Sequence, residues 1–245
     1  MRRPVLLVVA HGSRDPRHAA TVHDLVRRVR SLRPGLRVET GFLDFNIPSV
    51  RGALESLDAE GVREVVALPL LLTRAFHAKS DIPAVLAEAP PRLRIRQAEV
   101  LGPSPLLLAA LERRLYEAGL TPADKSSTGV VLASAGSSDP EAIAVIAEIA
   151  REWRHTGWCA VRPAFASASL PRTEQAVAEL RAAGCARVAV APYVLAPGFL
   201  PDRIARGAAG ADVLADVLGP APEVARVLLE RYEQARAPRL TAVGA

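Results

Sequence analysis

Apolar and polar positions along the chain fall into two alternating kinds of segment. Short, uninterrupted apolar runs bounded by turn residues lie near 4–10, 37–44, 63–71 and 94–100, and helical periodicity covers 17–32, 48–59, 79–88 and 104–118. A run such as V-V-A-L-P-L-L-L, from Val65 to Leu72, has no polar face, so a strand formed there is buried on both sides. Four such strands, each followed by a helix over a short connection, predict a parallel sheet held between two layers of helices.

The pattern then begins again. V-V-A-H-G-S-R-D-P, from Val8 to Pro16, is answered by L-A-S-A-G-S-S-D-P, from Leu132 to Pro140. Val38, Phe42 and Pro48 return as Val161, Phe165 and Pro171; Gly61, Pro69 and Phe76 return as Gly184, Pro192 and Phe199; Leu101-Gly102-Pro103 returns as Leu218-Gly219-Pro220. A repeat of about 120 residues is longer than any solenoid unit and implies duplication of a whole domain. The predicted fold is therefore α/β, with two tandem, duplicated parallel-sheet α/β/α domains at 1–120 and 130–245. The polar, turn-rich stretch 121–129 serves as the linker, and the two domains face each other across a cleft.

Duplication separates fold from chemistry. Positions shared by the copies serve the architecture, whereas positions that differ are free for function, and in open parallel sheets ligands bind beyond the carboxyl ends of the strands. There the first copy has His11, where the second has Ala135. Gly12 and Ser13 make the turn, Asp15 caps the following helix and Pro16 opens it, an arrangement the second copy builds without an imidazole. His77 lies just past the third strand, before a helix opened by Ser80 and Asp81, and Leu200 stands at its counterpart. Asp44 ends the second strand, opposite Ser167 in the second copy; it reads either as a third site residue or as an Asx-type turn. Two imidazoles and a carboxylate suit a borderline divalent ion such as Fe²⁺, Co²⁺ or Ni²⁺ and leave coordination positions open. Ser13, Arg14, Arg74 and Lys79 border these positions and suit an anionic ligand.

The remaining histidines are read as structural. His18 and His23, five apart, fall on different faces of the first helix, and His155 complements a helix C-terminus. Trp153 and Trp158 are read as packing residues. Cys159 and Cys185 lack metal-ligand spacing and are read as buried thiols. The net charge of +5 is carried by scattered arginines mixed with 26 acidic residues, which argues against nucleic acid and is compatible with a small anionic partner. The first apolar run is far shorter than the roughly 20 residues that cross a bilayer, and no cleavable leader precedes it, so a cytoplasmic protein without membrane association is expected.

The segments A-H-G-S-R (Ala10–Arg14), F-L-D-F-N-I-P-S (Phe42–Ser49) and P-L-L-L…H-A-K-S-D-I-P (Pro69–Pro83) together resemble the sirohydrochlorin chelatases, the class II tetrapyrrole chelatases, in their two-domain form. The resemblance implies a lyase that inserts Co²⁺ or Fe²⁺ into sirohydrochlorin without ATP, on the route to cobalamin or sirohaem, with no permanently bound cofactor. Ni²⁺ remains open on ligand chemistry. It also implies that His11 and His77 bind the metal, with Asp44 standing where the family commonly has Glu. Arg14, Arg74, Lys79 and Ser13 would meet the macrocycle's carboxylates, as Arg does by bidentate hydrogen bonds. A monomer or homodimer is expected. Two other readings stay open at this stage: a non-catalytic carrier of metal or tetrapyrrole, and a histidine-phosphatase-like hydrolase, in which Ala10 would stand where such enzymes have their first arginine.

Overall fold

The computed structural model describes residues 3–74 and 80–237. In the first half, strands β1 (Val5–Ala10), β2 (Val38–Phe42), β3 (Glu64–Pro69) and β4 (Arg94–Gln97) alternate with helices α1 (Pro16–Leu32), α2 (Val50–Ala59), α3 (Ile82–Ala87) and α4 (Pro105–Glu117). The second half repeats the order with β5 (Thr128–Ser134), α5 (Pro140–Arg154), β6 (Ala160–Phe165), α6 (Thr173–Ala182), β7 (Arg187–Tyr193), α7 (Phe199–Gly207), β8 (Val213–Leu214) and α8 (Pro222–Arg236). Between the halves, Pro122–Ser127 forms a 3-10 helix whose Asp124 carboxylate accepts from the Thr121 amide at 2.8 Å. Thr128 and Gly129, assigned to the linker from composition, already belong to β5.

Each half builds a four-stranded parallel sheet, in the orders β2-β1-β3-β4 and β6-β5-β7-β8. The first and third strands of each half are direct neighbours, Val5 lying opposite Val65 and Thr128 opposite Arg187. Every residue of β1 and of β5 is buried, as continuous apolar runs between helix layers must be. The helix starts follow the expected chemistry: the Asp15 carboxylate accepts from the Arg17 amide at 2.9 Å and Asp139 from the Glu141 amide at 3.0 Å, each ahead of a proline in the first turn.

The layers are not two separate sandwiches. The outer face of the first sheet packs on α2 and α3, and the outer face of the second on α6 and α7. The two inner faces share one core, built on α1, α4, α5 and α8 together. Within it the last helix of each half has crossed to the other: α4 lies on β7, whereas α8 lies on β3 and β4 beside α1. Arg231 of α8 donates to the carbonyls of Val100, Leu101 and Pro103, and the Tyr232 hydroxyl donates to the Pro4 carbonyl at 2.7 Å. In the other direction the Arg114 guanidinium of α4 donates to the Leu218 carbonyl at 3.0 Å.

Trp153 and Trp158 are buried and meet edge to face at 6.0 Å between ring centroids, consistent with a packing role. The cysteines correct the reading in part. Cys185 is buried, but Cys159 is exposed, and the two sulfurs, distant in sequence, lie 3.8 Å apart. No described helix is long and apolar enough to cross a membrane.

Candidate functional site

The carboxyl ends of β1, β3, β5 and β7 converge on a cavity of about 350 Å³ between the two halves. Its wall is mainly aliphatic, with Val22 and Leu25 of α1, Leu70 and Leu72 beyond β3, and Ile143 and Ile146 of α5. The polar groups in the described wall are two imidazoles, His11 and His18, the hydroxyls of Thr21, Thr73, Ser134, Ser137 and Tyr193, and backbone. An apolar cleft with a few placed polar groups is the usual form of a small-molecule site.

His11 is the residue at which β1 stops and the turn begins. Gly12 takes φ +95°, and a Cβ there would stand 1.8 Å from the Asp44 carbonyl oxygen, so only glycine allows the β1 turn and the β2–α2 loop to touch. The contact is fastened by the Asp44 amide, which donates to the His11 carbonyl at 2.9 Å, and by the Ser13 amide, which donates to Asn46 Oδ1 at 2.8 Å. The second half repeats the device at Gly136, with φ +91° and a Cβ position 2.0 Å from the Ser167 carbonyl oxygen. The wiring differs at two points, and at one of them the Ser169 hydroxyl donates to the Ser137 carbonyl at 2.7 Å where Asn46 accepts from Ser13. At the other, the Ser167 hydroxyl donates to the Ala135 carbonyl at 2.8 Å, whereas Asp44, whose carboxylate has no proton to give, turns Oδ1 to accept from the Phe45 amide at 2.8 Å.

His18, set aside from sequence as a structural histidine, projects from the first turn of α1 into the same cavity. Burial, reinforced by the neighbouring His11, holds its imidazole below the ordinary value of 6.5, with Asp15 pulling the other way, so it is neutral at pH 7. Its counterpart in α5 is Ala142, which also lines the wall. His18 was detectable from the repeat: like His11 it is an imidazole in one copy and alanine in the other. His23 packs edge to face on Phe42 at 5.9 Å and does not line the cavity. Tyr193 was not singled out from sequence. It is 2% exposed, its hydroxyl finds no hydrogen-bond partner among the described residues, and burial pushes its phenol upward despite Arg231 nearby.

The other described candidates, Asp44, Ser13, Arg14 and Arg74, are not in the cavity wall. Asp44 is exposed on the β2–α2 loop, adjacent to His11 through backbone. The Ser13 hydroxyl accepts from the Asp15 amide at 3.0 Å, inside the turn. Arg14 is exposed, its guanidinium 5.2 Å from the centroid of the Phe45 ring, and Arg74 is exposed opposite Glu99 at 4.0 Å. No Lys or Arg among the described residues lines the cavity, so the first strand end has no second guanidinium of the kind a phosphate-binding reading requires. His77 and Lys79 lie outside the described residues. Among the described residues no three His, Cys, Asp or Glu side chains gather as a metal cluster.

Comparison with known proteins agrees with the duplicated architecture. The CbiX family model matches the chain twice, at residues 5–118 and 129–235. The chain is 31% identical over 207 residues to the sirohydrochlorin cobaltochelatase of Priestia megaterium, an alignment covering 81% of this chain and 66% of that protein. It is 27% identical over 210 residues to the sirohydrochlorin ferrochelatase of Bacillus subtilis strain 168, covering 83% and 78%. The solved structure of SirB from Bacillus subtilis with Fe³⁺ superposes with a TM-score of 0.81 at 25% identity over 96% of both chains. A doubled family match over both halves, with the imidazoles of His11 and His18 lining one cleft, places this chain in the CbiX family of sirohydrochlorin chelatases.

Proposed function

We propose that this chain inserts Fe²⁺ or Co²⁺ into sirohydrochlorin without ATP, the macrocycle entering the cleft between the halves and the metal approaching from the strand ends of the first half. The observation that carries this reading is the one-sided cavity: His11 and His18 stand on the first-half wall, where the second half offers Ala135 and Ala142. Leu200, the sequence counterpart of His77, lines the second-half wall, so the repeat again sets an apolar residue against an imidazole of the first copy.

Metal insertion needs a cation stripped of water and two pyrrole N–H protons accepted. Neutral imidazoles can do both near pH 7. In this reading His11 and His77 hold the incoming ion, and one of them or Asp44 accepts protons as the ring nitrogens replace the remaining ligands. The aliphatic wall accommodates part of the macrocycle's flat face. Its carboxylates stay at the wet rim, where Arg14, steadied on Phe45, and Arg74 and Lys79 supply charge that no described part of the interior provides. Both walls come from one chain, so the reading requires no partner subunit.

The test is a visible-spectrum assay of the purified protein with sirohydrochlorin and Co²⁺ or Fe²⁺. Acceleration over the metal and ring alone is expected, with at least a hundredfold loss in His11→Ala and in His77→Ala. Saturable binding of metal and ring with no acceleration would replace the catalyst by a carrier.

A further inference from the structure

We infer that His18 is a further metal-binding side chain of this site, a second imidazole on the first-half wall that engages the borderline divalent cation together with His11. The inference rests on the cavity's being the place of metal insertion.

The backbone geometry is shared by both halves. Asp15 and Pro16 start α1 as Asp139 and Pro140 start α5, and the third helical residue of each points into the cavity. At that position α5 carries Ala142, so neither the helix start nor the packing of the wall calls for an imidazole. A histidine kept for structure would be expected to spend its ring nitrogens on a backbone carbonyl or a carboxylate. At His18 the Nδ1 is buried and meets no hydrogen-bond partner among the described residues, in a wall whose neighbours on the same helix are Thr21, Val22 and Leu25. A buried ring nitrogen that no described residue satisfies is open to a ligand from outside the chain.

The chemistry narrows what that is. The described cavity interior holds no carboxylate, lysine or arginine, so an anionic ligand group would find no fixed cation there, whereas a divalent ion favouring nitrogen donors finds two imidazoles. A second donor on the wall, set back from the strand end along α1, would also give the ion a foothold while the macrocycle nitrogens displace its other ligands.

Co²⁺ alone, titrated into the full-length protein by calorimetry and followed by its visible d–d band, tests this. His18→Ala should weaken Co²⁺ binding on the order of 10-fold or more and alter the band, with an unchanged melting temperature. In the insertion assay the KM for metal should rise with little change in the KM for the macrocycle. His18→Gln, which keeps polarity and bulk but not the imidazole, should behave like His18→Ala in the band and guards against loss of fold. Unchanged affinity and band in both variants, with binding weakened in His11→Ala, would overturn the role of His18 alone. Wild-type protein without a saturable Co²⁺ site would overturn the metal-insertion reading, and this inference with it.

Discussion

Gly12→Ala isolates the contact on which the proposed site is hung. The added Cβ would stand 1.8 Å from the Asp44 carbonyl oxygen, where real Cβ atoms essentially never come within 3.0 Å, and it would do so at φ +95°. The β2–α2 loop must therefore retreat by about 1 Å, stretching the Asp44 to His11 hydrogen bond. Left-handed backbone costs an L-residue about 1–2 kcal/mol, and a weakened buried hydrogen bond about 1 kcal/mol more. A total near 3 kcal/mol lowers the melting temperature by roughly 6–12 °C in a chain of this size. The repeat supplies the control: Gly136→Ala meets the Ser167 carbonyl oxygen at 2.0 Å with φ +91°, and should lose a similar amount of stability. Function should split the pair. Displacing His11 by about 1 Å can cost a hundredfold in rate, whereas Gly136→Ala moves only a wall bearing Ala135 and should stay within about 10-fold of wild type by the same reasoning. Thermal melts and insertion rates measured well below both melting points decide. Equal losses of activity in the two variants, or a Gly12→Ala protein that melts like wild type, would refute the argument.

Three further outcomes follow from the geometry. Tyr193→Phe removes a buried hydroxyl that has no partner among the described residues, so its melting temperature should match wild type or exceed it, by up to about 1 kcal/mol of stability; a fall of several degrees would refute this. Because burial and His11 lower the His18 value in the folded state, the unfolded chain binds its proton first. Its contribution is complete above about pH 6.5 and is lost as pH falls through the lower folded value, so His18→Ala should flatten the dependence of denaturant midpoint on pH on that acidic side. Arg231→Ala removes a guanidinium that bridges α8 to three carbonyls of the first half, and should cost about 2–3 kcal/mol in urea unfolding.

Much of the fold was readable because the signals are local. The all-apolar runs of β1 and β3, the Asp-Pro helix starts and the repeated glycine turns each announce themselves within a few residues, and the match of Val8–Pro16 to Leu132–Pro140 carries them into a second copy. The exchange of α4 and α8 was not readable, since an amphipathic helix states that it needs a sheet face but not which one. His18 was set aside for a related reason: spacing within α1 separates it from His23 but cannot say which face looks into a cleft assembled from the distant half. Arg14 and Arg74 were recognised as basic residues near the strand ends, but only the packed chain puts them outside the cavity wall, one over Phe45 and one opposite Glu99. Cys159 shows the same limit, for composition cannot tell a thiol under a strand from one at its mouth.

The crossing of the final helices ties the fate of the two gene-duplicated segments together. A descendant chain could let the carboxyl-terminal copy shed every reactive side chain, as Ala135, Ala142 and Leu200 suggest has happened. It could not discard that copy, because α8 roofs β3 and β4 of its neighbour and α4 would be left without β7 beneath it. Reactive side chains could be confined to one segment while the other was kept for the wall and the roof it supplies.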